Sequence, residues 1–112
     1  MATTDSAEIP PGTLDMLILK ILLRDRELHG FEIAEAIART SGNVLRVEEG
    51  SLYPALQRML IKGWLQDEWG RTAENRRARY YRVTAAGRRQ FERETQSYQR
   101  VTHAIALILQ TT

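Results

Sequence analysis

Between Arg71 and Arg93 the chain carries eight arginines against only Glu74 and Glu92. Over its whole length arginine outnumbers lysine fourteen to two. The guanidinium group is planar and permanently charged, and its N–H fork matches phosphate oxygens and base edges two at a time. Such a patch, on a chain whose formal net charge is only +2, points to a polyanion held on one face. A merely solvated arginine-rich surface is the competing reading. The charge is also divided along the chain. Residues 1–57 hold five Lys/Arg and nine Asp/Glu, a net of −4; residues 58–112 hold eleven and five, a net of +6.

Other chemistries lack their residues. With no cysteine, disulfides, thiolate metal sites and thiol nucleophiles are excluded. The two histidines, His29 and His103, stand far apart. No glycine-rich phosphate loop and no cluster of carboxylates is present, so no catalytic constellation forms. The expectation is a non-enzyme with no catalytic residues, no metal and no cofactor. The longest apolar run, Ala104 to Leu109, has six residues, far below the ~18–20 of a membrane span. Met1 to Pro11 has neither the basic nor the apolar part of a signal peptide. The sequence therefore reads as one cytoplasmic domain without membrane contact.

These arginines must be positioned by helices and a hairpin. Met1 to Pro11 reads as a flexible arm. Thr13 suits a helix N-cap, with Asp15 favourably placed in the first turn. Leu14, Leu17, Ile18, Ile21 and Leu22 form one apolar stripe of the first helix. Met16, Leu19 and Leu23 form a second stripe, which needs a further helix to cover it, from this chain or from a copy of it. This helix ends near Arg24-Asp25. A second helix opens at His29-Gly30, with His29 as a cap. Its apolar residues are Phe31, Ile33, Ala34, Ile37 and Ala38, and Ser41-Gly42-Asn43 stops it.

A third helix is expected from about Glu49 to Lys62. Pro54 belongs in a first turn, which puts the helix start near Ser51. Leu52, Leu56, Met59 and Leu60 face inward. Ser51, Pro54, Gln57, Arg58, Ile61 and Lys62 face outward, with Tyr53 at the boundary. Trp64 to Trp69 and Ala78 to Val83 read as two strands around a polar tip, Gly70 to Asn75. Trp64 and Trp69 are expected in the core at the base of this hairpin; an aromatic ligand pocket is their alternative role. Thr84 caps a long last helix reaching about Leu109. Phe91, Tyr98, Val101, Ile105 and Ile108 recur on it close to a heptad.

Two helices joined by a short turn and followed by a basic hairpin make a winged helix-turn-helix. The fold class is therefore mainly α with a small β-hairpin, plus a long C-terminal helix. The outward residues of the third helix suit a major groove. Gln57 matches adenine and Arg58 matches guanine, while Ser51, Tyr53, Pro54 and Lys62 complete the face. Arg76, Arg77 and Arg79 on the wing suit the backbone or the minor groove. Asp67 or Glu74 competes for any one of them. The dimer surface is expected to combine Met16, Leu19 and Leu23 with Phe91, Tyr98, Val101, Ile105 and Ile108. The alternative function is a winged-helix module that binds protein, against which the arginine density argues.

The motifs are also familiar. Gly12-Thr13-Leu14-Asp15, Leu28-His29-Gly30-Phe31 with Ile33, and Glu49-Gly50-Ser51-Leu52-Tyr53-Pro54-Ala55-Leu56 form the first part of the pattern. Gly63-Trp64-Leu65, Asn75-Arg76-Arg77-Ala78-Arg79-Tyr80-Tyr81 and Thr84-Ala85-Ala86-Gly87-Arg88 complete it. Together they resemble the short form of the PadR family of bacterial transcriptional regulators, from Gly12 to about Leu109. The Gly-Ser-Leu-Tyr-Pro-Ala-Leu run is the specific part; the Thr-x-x-Gly-Arg turn is widespread. The resemblance implies a homodimer on an inverted-repeat operator in double-stranded DNA, usually repressing. It implies that the last helix packs with the partner's first helix, and that a small-molecule effector acts, with no residue to assign to it. The expected organisation is an arm (1–11), a winged helix-turn-helix (12–84) and a dimerisation helix (85–112).

Overall fold

The computed structural model describes Ile9, Pro10 and residues 12–112. Most of the expected arm lies outside the described residues. Of its described part, Ile9 rests against the core and the Pro10 carbonyl accepts bonds from the Thr13 N–H and hydroxyl, at 3.2 and 2.7 Å.

The chain runs α1 (Leu14–Asp25), β1 (Leu28–His29), α2 (Gly30–Thr40), α3 (Glu49–Ile61), β2 (Leu65–Arg71), β3 (Arg77–Val83) and α4 (Ala85–Leu109). This is a winged helix with a long C-terminal helix. Ile18, Leu19, Ile21 and Leu22 of α1 meet Ile33, Ala36 and Ile37 of α2 and Leu52, Ala55, Leu56 and Met59 of α3. Leu65 and Tyr81 close this core from the sheet. Each helix brings residues three and four apart to one side, so the three stripes meet around a common centre.

His29 caps α2, with both halves of a capping box present. The Glu32 N–H donates to His29 Nδ1 at 3.4 Å, and the His29 N–H donates to the Glu32 carboxylate at 3.1 Å. A histidine spent this way is a structural cap rather than a ligand.

Several expectations are corrected. The sheet has three strands, in the order β1-β3-β2, rather than two. Leu28 and His29 pair with Tyr81 and Tyr80, and a strand of two residues leaves no period-2 pattern to read. The hairpin is longer than its sequence suggested, with Arg71 pairing to Arg77 and the tip reduced to 72–76. Pro54 sits inside α3 rather than in its first turn. The proline removes the N–H that the Gly50 carbonyl, four residues back, would accept. Gly50 is an exposed residue, where water can replace a missing helical bond, and the helix runs on to Ile61. Leu19 belongs to the chain's own core, at 0 % exposure, and not to a partner-facing stripe. Phe91 also packs on its own core, with Lys20 Nζ 5.9 Å from its ring centre. Phe31 lies largely in solvent, and Ala36 takes the buried place beside Ile33 and Ile37.

At the joint between wing and α4, Thr84 Oγ1 accepts from the Gly87 N–H at 3.0 Å and donates to the Gly63 carbonyl at 2.6 Å. The Thr84 N–H donates to the Trp64 carbonyl at 3.0 Å. Gly87 is buried here, and a Cβ on it would collide with that carbonyl and with Val83. Only glycine lets the start of α4 lie so close to the wing base.

Candidate nucleic-acid interface

The outward side of α3 is where its periodicity put it. Ser51, Tyr53, Pro54, Gln57, Arg58 and Lys62 are all exposed. They do not stand alike. Tyr53 is 45 % exposed, and its ring and hydroxyl occupy the space a side chain at Gly30 would need. It therefore fills the α2–α3 seam and still presents one edge to solvent. The Arg58 guanidinium is paired with the Asp15 carboxylate on α1. Lys62 lies over the Trp64 ring, 4.7 Å from its centre.

The wing is a pair of antiparallel strands whose inner and outer faces alternate. Cross-strand register puts Leu65 opposite Val83, Asp67 opposite Tyr81, Trp69 opposite Arg79 and Arg71 opposite Arg77. All eight belong to one face of the sheet. Its base is buried at Leu65 and Tyr81, and its far end carries Trp69, Arg71, Arg77 and Arg79, all exposed. Burial pushes the Tyr81 hydroxyl above its usual pKa, with the hydrogen bond and charge of Arg79 pulling the other way. Trp69 is not a core residue: it is 55 % exposed, because the core ends one pair below it. Arg77 lies over its ring at 4.4 Å and Arg79 at 5.3 Å. Arg79 also pairs with Asp67 at 3.3 Å, the competitor anticipated from the sequence. Arg71 donates to the Asn75 carbonyl at 3.1 Å and steadies the tip. Arg76 is exposed at the turn.

One pairing emerges only in the folded chain. Asp15 is suited by its position to the helix dipole, and nothing in its spacing singles out Arg58, forty-three residues on. Trp69 had a readable signal, since it alternates with Asp67 and Arg71 on one strand face.

Behind the winged helix, the first half of α4 lies along α1. A groove of about 270 Å³ between them is lined by Gly12, Thr13, Met16, Glu94, Ser97, Tyr98 and Val101. Glu94 accepts from Gln90 through one carboxylate oxygen at 2.7 Å. Its other oxygen is buried without a hydrogen-bond partner, so a donor entering from outside would satisfy it. Leu23 is half-buried on α1. Further along α4, Tyr98, Val101, Ile105, Leu107, Ile108 and Leu109 are all exposed. A second groove, of about 430 Å³, runs along α2 past Phe31, Ala34, Ala38 and Val47. Among the described residues no three His, Asp or Glu side chains gather as metal ligands, and no helix is long and apolar enough to cross a membrane.

The family model for PadR-like transcriptional regulators matches residues 18–93. A transcriptional regulator from Mycobacterium tuberculosis is 39% identical over 64 residues, covering 57% of this chain and 56% of that protein. The solved structure of a PadR-like regulator from Bacillus cereus superposes with a TM-score of 0.77 at 28% identity, covering 90% of this chain and 95% of that one. A PadR family regulator from Eggerthella lenta gives 0.76 at 26% identity, with coverage of 90% and 85%.

Proposed function

The chain belongs to the PadR-like family of transcriptional regulators, and from that premise we propose that it is a homodimeric, cytoplasmic repressor that binds an inverted-repeat operator and is released by a small-molecule effector. The observation that carries the reading is the exposure of two polar and basic surfaces on one winged helix. These are the α3 face from Ser51 to Lys62 and the wing arginines Arg76, Arg77 and Arg79. In this reading α3 enters the major groove, with Gln57 and Arg58 at base edges. For Arg58 that means exchanging the Asp15 carboxylate for a base or phosphate. The wing arginines hold the backbone and set register. The dimer is supported by the exposed apolar stripe on α4, Tyr98, Val101, Ile105 and Ile108, beside the half-buried Met16 and Leu23. Two copies related by a two-fold axis would present two reading heads to two half-sites.

The test is selection of random duplexes by the purified protein. An enriched palindrome supports the reading; no enrichment at low salt removes it. On the enriched duplex, replacing Arg76 and Arg77 together by Ala should weaken binding to every sequence and reduce the salt slope by about 2, near 0.9 per lost phosphate contact. An unchanged slope would take the wing out of the interface.

A further inference from the structure

We propose that Trp69 is a positioning residue for DNA recognition: its indole holds Arg77 and Arg79 in a set arrangement on the wing, and through them raises affinity without touching DNA itself. This rests on the reading that the wing faces nucleic acid. Trp69 is a large aromatic residue left more than half in solvent, one same-face cross-strand pair beyond the buried Tyr81. It adds little to the core. Two cations nevertheless converge on it, Arg77 at 4.4 Å and Arg79 at 5.3 Å from the ring centre. The register explains why: Arg79 is its direct cross-strand partner and Arg77 the diagonal one, on the same face.

The two ways of fixing an arginine here differ in what they leave free. The Asp67 carboxylate stands 3.3 Å from the Arg79 Nε and offsets its charge. The indole face engages the flat side of a guanidinium and leaves the N–H groups at its rim available to phosphate. A stacked arginine has already given up much of its rotamer freedom before DNA arrives, so less is lost on binding. The arrangement therefore keeps the charge of Arg77 and presets its direction.

The experiment is a double-mutant cycle on the duplex enriched by the wild-type protein, at fixed salt. Trp69→Ala should weaken binding about tenfold, the ordering cost of two long side chains. Trp69→Phe should restore most of this. The salt slope should stay at the wild-type value, because both charges remain. In an Arg77→Ala/Arg79→Ala background, Trp69→Ala should cost less than twofold. A DNA-free readout accompanies the cycle: the side-chain CH₂ proton signals of Arg77 should lose their ring-current shift in Trp69→Ala. Loss of that shift with affinity unchanged overturns the proposal while leaving the DNA-binding reading intact. An equal cost in the arginine-free background also overturns it, because Trp69 would then act on DNA directly. No shift to lose in the wild type overturns it whether or not the protein binds DNA.

Discussion

In its first half α4 is wedged into its own chain: Gly87 lies against the Trp64 carbonyl, and Phe91 packs on the core. In its second half the same helix carries equally apolar residues into solvent, with Ile105 at 49 % and Ile108 at 69 % exposure. The second half is in fact the more apolar, with Tyr98, Val101 and the run from Ala104 to Leu109 against Ala85, Ala86 and Phe91 in the first; yet it is the half left without cover. The three-helix core and wing bury Ile18, Leu19, Ile21 and Leu22 of α1 and have nothing left for the far end of α4. An apolar stripe that lengthy, on a protein of 112 residues, is what a second copy would bury.

That contrast can be broken at named positions. The largest loss of stability belongs to Leu19→Ala. A fully buried leucine truncated in place should cost about 2–5 kcal/mol, read as a lower urea midpoint, with the mass of the folded protein unchanged by light scattering. If Leu19→Ala instead altered mass and spared stability, the residue would belong to a partner surface after all. Gly87→Ala comes next. The added methyl has no space against the Trp64 backbone, and overpacking of this kind costs about 1–3 kcal/mol. Thermal melting should show it, and a neutral result would mean that α4 shifts freely on the wing base. The smallest effect on the fold belongs to Ile105→Asp. An exposed position should change the stability of a single protomer by no more than about 0.5 kcal/mol. Light scattering should nevertheless report the mass of one chain, against the two expected of the wild type under the proposed dimer. The wild-type melting point should rise with protein concentration, and that of Ile105→Asp should not.

The order and type of the helices were legible because their apolar residues keep a helical period. Caps such as Thr84 and His29 then marked where two of them start. What escaped depended on distant partners. Leu28-His29 becomes a strand only because Tyr80 and Tyr81 come alongside. Leu19 lay on a second helical stripe, and periodicity cannot say whether the chain itself or another chain will cover that stripe. Pro54 falls under a general rule about helix starts that α3 breaks, the bond it removes lying at an exposed residue, Gly50. In the candidate interface, exposure followed from the pattern of α3, but the engagements of Arg58 with Asp15 and of Arg77 with Trp69 are matters of three-dimensional proximity.

The joint at Thr84 and Gly87 has a mechanical meaning. Three short hydrogen bonds and one close backbone contact clamp the root of the wing to the root of α4. A helix of 25 residues is a lever of about 37 Å, so tilting it by roughly 5° swings its tip by about 3 Å. In the proposed dimer, a joint this tight would carry a turn at the tails of the two helices through to the wings, because the bare Gly87 backbone leaves no slack between them.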